Sequence, residues 1–271
     1  MKKKICAFVM LLAMCLTLSV PAFASEQPLD FYALATAETE SLNIAEINEY
    51  TSAFATLSDD EFDRTIIELI KETNDLDTLQ ENLLECGVEL GDVEARGHTA
   101  STRSLGESDV EILLTSAKRT GQTYYHLLVS LEFSDYELYP ASKDGVAVYF
   151  DSRKADYVGY NSSTDHGFRL MSGQRAVDGT LVFNFSDSMV TMFNYDDSFY
   201  TAVYVEPYSG ESNITFGADY AHTYADEELD LSGTSIGYSF GAVSSGSVSV
   251  NFTIVDEKEE KWEIAHLSSF A

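Results

Sequence analysis

The sequence predicts a mainly β protein with a small acidic α-helical region ahead of the sheets. Three observations predict it. From Ile44 to Leu84 apolar residues recur every three or four positions, the repeat of a helix face. From Val110 onward they recur every second position, the repeat of a strand with one buried face. The clearest alternation lies in 231–256, where Ile236, Tyr238 and Phe240, then Val248, Val250, Phe252 and Ile254, interleave with Ser, Gly, Asn and Thr around a Ser/Gly turn. That pattern is a hairpin signature. Successive strands with turn signals and no helical pattern between them indicate an antiparallel β-sandwich, Ig-like or jelly-roll in type.

The first element is an address. Lys2, Lys3 and Lys4 precede the apolar run ICAFVMLLAMCLTLSV, and Ala22-Phe23-Ala24 follows as a small-residue cleavage site. This order reads as a secretory signal peptide over 1–24, with the mature protein secreted or extracellular. The apolar run is short for a membrane-spanning helix, and no second long apolar run follows, so no integral span is expected after cleavage. The end, KWEIAHLSSFA, lacks the apolar tail and basic residues of a wall anchor. Cys6 and Cys15 would leave with the signal. Cys86 then stands alone, without an intrachain disulfide partner, and reads as a small apolar core residue.

Residues 25–90 form the acidic helical region. Nineteen Asp and Glu in 25–94 face only Arg64 and Lys71. Ile44, Ile47, Tyr50 and Phe54 share one helix face. Ser58-Asp59-Asp60-Glu61 reads as a capping box, in which the Ser58 hydroxyl accepts from a backbone N–H and Glu61 reaches back. Phe62, Ile66, Leu69 and Ile70 form the stripe of the helix it opens. Leu76, Leu79, Leu83 and Leu84 form another, and Gly87 follows Cys86 as a stop. Residues 91–107 lose all periodicity and read as a linker, the expected first site of proteolysis.

Residues 108–271 are the β-sandwich domain. Its strands are marked by Val110/Ile112/Leu114, Leu127/Val129/Leu131/Phe133, Val146/Val148/Phe150, Leu181/Phe183/Phe185 and Thr201/Val203/Val205. Ile214, Phe216, Ala218, Tyr220, His222 and Tyr224 share a face. Lys143-Asp144-Gly145 and Asp178-Gly179 read as turns. In the 231–256 hairpin a turn centred on Ser244 would set Phe240 opposite Val248, Tyr238 opposite Val250 and Ile236 opposite Phe252.

Charge excludes some functions. Losing Lys2, Lys3 and Lys4 with the signal takes the net charge from −29 to about −32, which repels nucleic acid and anionic lipid. Divalent cations and basic partners are favoured instead. The five histidines, at 98, 126, 166, 222 and 266, have no paired zinc spacing. No cofactor is expected. Calcium is the one ion that acidic loops could hold, at Asp226-Glu227-Glu228-Leu229-Asp230 and at Asn194, Asp196 and Asp197.

Two motifs touch on catalysis. Gly233-Thr234-Ser235-Ile236-Gly237 matches G-x-S-x-G, but a nucleophile elbow needs a strand-to-helix turn, and Ser235 lies inside an alternating strand. Glu107, Asp109 and Glu111 project three carboxylates to one side of a strand. They resemble the E-x-D-x-E signature of jelly-roll glycoside hydrolases, a likeness of five residues. The resemblance implies nucleophile and acid roles in glycan cleavage. Ser108 stands where that signature carries an aliphatic residue, and Trp262 is the only tryptophan. Along a straight strand residues four apart are separated by ~13 Å, so these acids are not expected to converge.

No catalytic residue is therefore assigned. Sixteen tyrosines in an exported β protein suggest a binding surface, with Tyr124, Tyr125, Tyr136, Tyr139, Tyr157 and Tyr160 as candidates. The expected role is a non-catalytic binding module for a protein or glycan partner. The alternatives are a glycan-cleaving enzyme and a pore-former inserting the 231–256 hairpin.

Overall fold

A computed structural model of the chain describes residues 29–36, 42–95, 110–133, 143–163, 168–171, 178–185, 199–225, 237–240, 250–253 and 259–270, and among these described residues lie four helices and thirteen strands. The elements below belong to one unit, Phe31–Ala271.

The helices are α1 (Tyr32–Thr36), α2 (Ile44–Thr56), α3 (Asp59–Glu72) and α4 (Leu76–Glu85). Local chemistry starts each of the last three. At α2 the Asn43 side chain accepts from the Ala45 and Glu46 N–H groups, and the Asn43 N–H donates to Glu46. At α3 the expected capping box is present: the Glu61 N–H donates to Ser58 Oγ at 3.3 Å and the Ser58 N–H to Glu61 at 2.9 Å. At α4 the Asp75 carboxylate accepts from the Thr78 N–H. Gly87, at φ 78°, ends α4 in the left-handed conformation a glycine adopts without strain.

The stripe of α3 is buried as its spacing predicts, through Phe62, Ile66, Leu69 and Ile70. That of α4 differs. Leu79 and Leu83 are buried, but Leu76 and Leu84 are 36% and 66% exposed. Asn82 takes the place beside Leu79 and donates its amide to the Leu34 carbonyl at 3.2 Å.

The strands are β1 (Val88–Leu90), β2 (Glu94–Ala95), β3 (Val110–Arg119), β4 (Tyr125–Phe133), β5 (Asp144–Phe150), β6 (Ala155–Ser162), β7 (Arg169–Leu170), β8 (Thr180–Phe185), β9 (Phe199–Pro207), β10 (Ile214–Ala225), β11 (Gly237–Phe240), β12 (Val250–Thr253) and β13 (Glu259–Phe270). One sheet runs β1-β3-β4-β9-β6, with β2 also on β3; the second runs β13-β10-β5-β8-β7. All pairings are antiparallel. Val110, Ile112, Leu114, Leu127, Val129, Leu131, Val203 and Val205 of the first sheet meet Val146, Val148, Phe150, Leu181, Phe183, Ile214 and Phe216 of the second in one core. The chain is thus a mainly β antiparallel sandwich with a few helices, the expected class.

The first sheet departs from a half-solvated pattern. Leu113, Thr115, Ala117, His126, Leu128, Ser130, Tyr200, Ala202 and Tyr204 are buried on its other face. The helices cover that face. Phe62 of α3 packs edge-on to His126 at 4.9 Å, and Lys71 pairs with Glu132 at 2.5 Å. Residues 94–95, inside the stretch read as a linker, pair with β3 at Leu114 and Leu113.

Two turn assignments change. Asp144 and Gly145 lie within β5, opposite Phe185 and Asn184, because the Asp144 carboxylate bonds into the sandwich rather than into solvent. The hairpin register is two residues from that expected: Phe240 pairs with Val250 and Tyr238 with Phe252, in a two-stranded sheet of their own. A shift of two leaves every side chain on its original face, so alternation cannot detect it. Residues 231–236, 241–249 and 254–256 of this stretch lie outside the described residues, including Ile236, Val248, Ile254, the turn at Ser244 and Ser235 of the G-x-S-x-G match.

Candidate functional site

The apolar stripe of α3 is broken by Asp63, which sits with Ile66, Ile67 and Ile70 on the buried face. Burying a carboxylate is costly unless its oxygens are occupied. Here both are. Oδ1 lies 2.6 Å from His126 Nδ1 on β4, and Oδ2 accepts from the Tyr204 hydroxyl on β9 at 2.7 Å. Asn161 of β6 adds a long contact at 3.4 Å. One turn earlier, Asp60 accepts from the Tyr200 hydroxyl at 2.5 Å and from Asn161 Nδ2 at 2.9 Å. Asp59 receives Gln122 Nε2 at 3.2 Å, the Tyr124 hydroxyl at 3.0 Å and the Arg119 guanidinium. Arg119 also donates to the Phe54 and Leu57 carbonyls at the end of α2, where a cation complements the helix dipole.

Three aspartates on the first turns of one helix thus meet one His, one Arg and two Tyr from the sheet and Tyr124 just before β4. Burial pushes the Asp63 carboxyl above its ordinary value, against the lowering effect of His126, Tyr204 and Asn161. The Asn161 and Tyr200 hydrogen bonds hold Asp60 below its ordinary value. Burial, then the neighbouring aspartates, raises the Tyr204 and Tyr200 phenols.

The Asp63–His126 pair has the spacing of a catalytic base and its orienting acid. Its other nitrogen shows what it does instead. His126 Nε2 faces Gln122 Oε1 at 3.2 Å, Asp59 lies 3.8 Å off, and the ring is fully buried between Phe62, Tyr124 and Tyr204. No nucleophile among the described residues faces it. The cluster is a polar staple between helix and sheet. A second polar cluster lies within the sandwich: Asp144 accepts from the Tyr220 hydroxyl at 2.7 Å and the Thr223 N–H at 2.8 Å, with His222 Nδ1 at 3.2 Å.

Of the three carboxylates singled out for glycan chemistry, Glu107 and Asp109 lie outside the described residues. Glu111 lines a 510 Å³ cleft with Ile70, Lys71, Asp75, Leu76 and Glu132. Glu132, its cross-strand partner, is the residue paired with Lys71. The acidic loops considered for calcium also lie outside, and among the described residues no group of three His, Cys, Asp or Glu is arranged to hold a metal. Cys86 is buried, and burial with Glu85 nearby pushes its thiol up to about 11.

The tyrosines separate by environment. Tyr124 stacks on His126, and Tyr125 is buried with its hydroxyl on Glu89. Tyr136 and Tyr139 lie outside the described residues. Tyr157 packs against the core, and Tyr160 is 42% exposed. Tyr160 marks an edge of the sandwich that is open among the described residues, where the first sheet ends at β6 and the second at β7. Its ring lies 5.7 Å from Phe183, and Phe168 lies 6.0 Å from the same ring. Between the two edges runs a 450 Å³ groove lined by Tyr160, Asn161, Ser162, Phe168, Arg169 and Leu170. Asn161 belongs both to this groove and to the staple. Nothing in the sequence spacing brings 160–162 to 168–170. The exposed Tyr160 was the one legible part of this groove.

No family model matches the chain, and no curated protein matches it. Among solved structures, the sixth cohesin of scaffoldin B from Acetivibrio cellulolyticus is 12% identical, with a TM-score of 0.27 over 49% of this chain and 86% of that one. The seventh ScaB type I cohesin from Pseudobacteroides cellulosolvens is 8% identical, with a TM-score of 0.27 over 48% and 77%. A structure described as a pore forming protein is 8% identical, with a TM-score of 0.34 over 66% and 90%. TM-scores this low carry nothing of those proteins' roles to this chain.

Proposed function

We propose that the chain is an exported, non-catalytic interaction module that binds a partner protein at the open edge of its sandwich. The basic start, apolar run and A-x-A site of 1–24 support the export part of this reading. The observation that supports the binding site is the groove between β6 and β7. It lies within the size range of ligand sites, and Tyr160, 42% exposed, lines it. In the Asp63–His126 pair, which has the spacing of catalytic machinery, both carboxylate oxygens and both ring nitrogens already face partners within the staple. Glu111 faces a glutamate already paired with Lys71.

The test uses the mature protein, from residue 25, on arrays of extracellular protein fragments, glycans and cell-wall fragments. Protein binding without turnover, lost in Tyr160→Asp, supports the reading. Release of cleaved sugars would overturn it in favour of glycan cleavage. The pairing of β11 with β12 in a sheet of their own favours one second reading, insertion of the 231–256 hairpin into membranes. Dye release from liposomes by the wild type would support that alternative.

A further inference from the structure

We propose that the groove takes an extended segment of the partner protein, pairing with β7 and carrying an apolar residue next to an aspartate or glutamate. This deepens the interaction-module reading and rests on it.

Strand edges come first. Among the described residues no strand pairs with the outer side of β6 or of β7. An edge presents unpaired N–H and C=O groups, and an added peptide strand satisfies them as a sugar does not. On β6 a bulge between Tyr157 and Gly159 breaks the register. Bulges twist an edge away from further pairing, which leaves β7 as the better template.

Register then assigns the side chains. Leu170 pairs with Phe183, whose side chain belongs to the core, and Arg169 pairs with Asn184. Alternation therefore turns Leu170 inward and Arg169 outward. A partner residue opposite Leu170 enters the groove beside Tyr160 and Phe168, so it is apolar. The partner residue opposite Arg169 points outward beside the guanidinium. Arg169 is exposed, and no carboxylate among the described residues pairs with it. It is also the only charged residue at the rim of the groove among those that line it.

A chain of net charge −29 repels acidic partners at long range. Screening confines that effect to about 8 Å at physiological salt. The pairing with Arg169 is local, so a single acid in the partner is favoured at this one position.

The experiment titrates ¹⁵N-labelled mature protein with two capped pentapeptides, Thr-Val-Glu-Val-Thr and Thr-Val-Lys-Val-Thr, and with glucuronate. The expected result is amide shifts at 160–162 and 168–171 with the Glu peptide, and affinity roughly three- to tenfold weaker for the Lys peptide, the scale of one cross-strand charge pair. Arg169→Glu should reverse that preference. Equal responses to both peptides would overturn the proposal. So would the same amides responding to glucuronate, or no response of 168–171 to either peptide. A partner from the arrays that binds wild type and Arg169→Glu equally would remove this inference and leave the interaction-module reading standing.

Discussion

Removing Asp63 should unfasten the helices from the sheet. The carboxylate is fully buried and joins His126 at 2.6 Å and the Tyr204 hydroxyl at 2.7 Å. Asp63→Ala leaves both of these groups without that partner in a site closed to water. Each orphaned group costs about 1–3 kcal/mol, and breaking one side of a buried pair costs about 3–5 kcal/mol. A loss of about 3–5 kcal/mol is expected, which for a unit of this size lowers Tm by about 6–20 °C. Urea unfolding followed by circular dichroism measures it. The triple variant Asp63→Leu, His126→Leu, Tyr204→Phe removes the polar partners together and should recover more than half of the loss, since apolar replacement of a buried pair is often neutral or better. A loss under about 1 kcal/mol for Asp63→Ala, or a triple variant no more stable than the single one, would refute a staple that acts by mutual satisfaction.

Three other expectations follow from single positions. Gly179 has φ 80°, and a Cβ there would lie 2.3 Å from the Phe150 carbonyl oxygen, so Gly179→Ala should cost at least about 2 kcal/mol in the same unfolding assay. Asp60 is held below its ordinary 3.8 by Asn161 and Tyr200; its contribution is present above pH 3.8 and lost as pH falls through the lower folded value, so Asp60→Asn should flatten the stability profile below pH 3.8 and leave its shape at neutral pH unchanged. Cys86, buried with its thiol pushed up to about 11, should resist iodoacetamide in the folded mature protein at pH 8 and react after unfolding; rapid labelling of the native protein would contradict its core placement.

Local patterns carried much of this fold, and long-range ones did not. The Ser58–Glu61 capping box and the α3 stripe depend on neighbours within one or two turns, so spacing alone reveals them. The period of two likewise marks one face of β3, β4 and β9. It does not show that their other face is covered, because Leu128, Ser130 and Ala202 are compatible with a solvent face until α3 is placed over them. The staple is harder still, since Asp63 and Tyr204 are 141 positions apart. One signal did point to it: Asp63 falls on the same helix face as Ile66, Ile67 and Ile70, and a carboxylate there must find donors. The groove joins two sheet edges, and edges are set by strand order, which alternation does not encode. Of the tyrosines, only the burial of each side chain separates Tyr125, held in the core, from Tyr160 at the rim.

Hydrogen–deuterium exchange of the mature protein, alone and with a partner captured on the arrays, tests the central claim most directly. Binding at the open edge predicts slowed exchange across 158–162 and 168–171, with the amides of α3 and β4 around the Asp63–His126 staple unchanged. Protection confined to α3 and β4, with 158–171 exchanging as in the free protein, would contradict it.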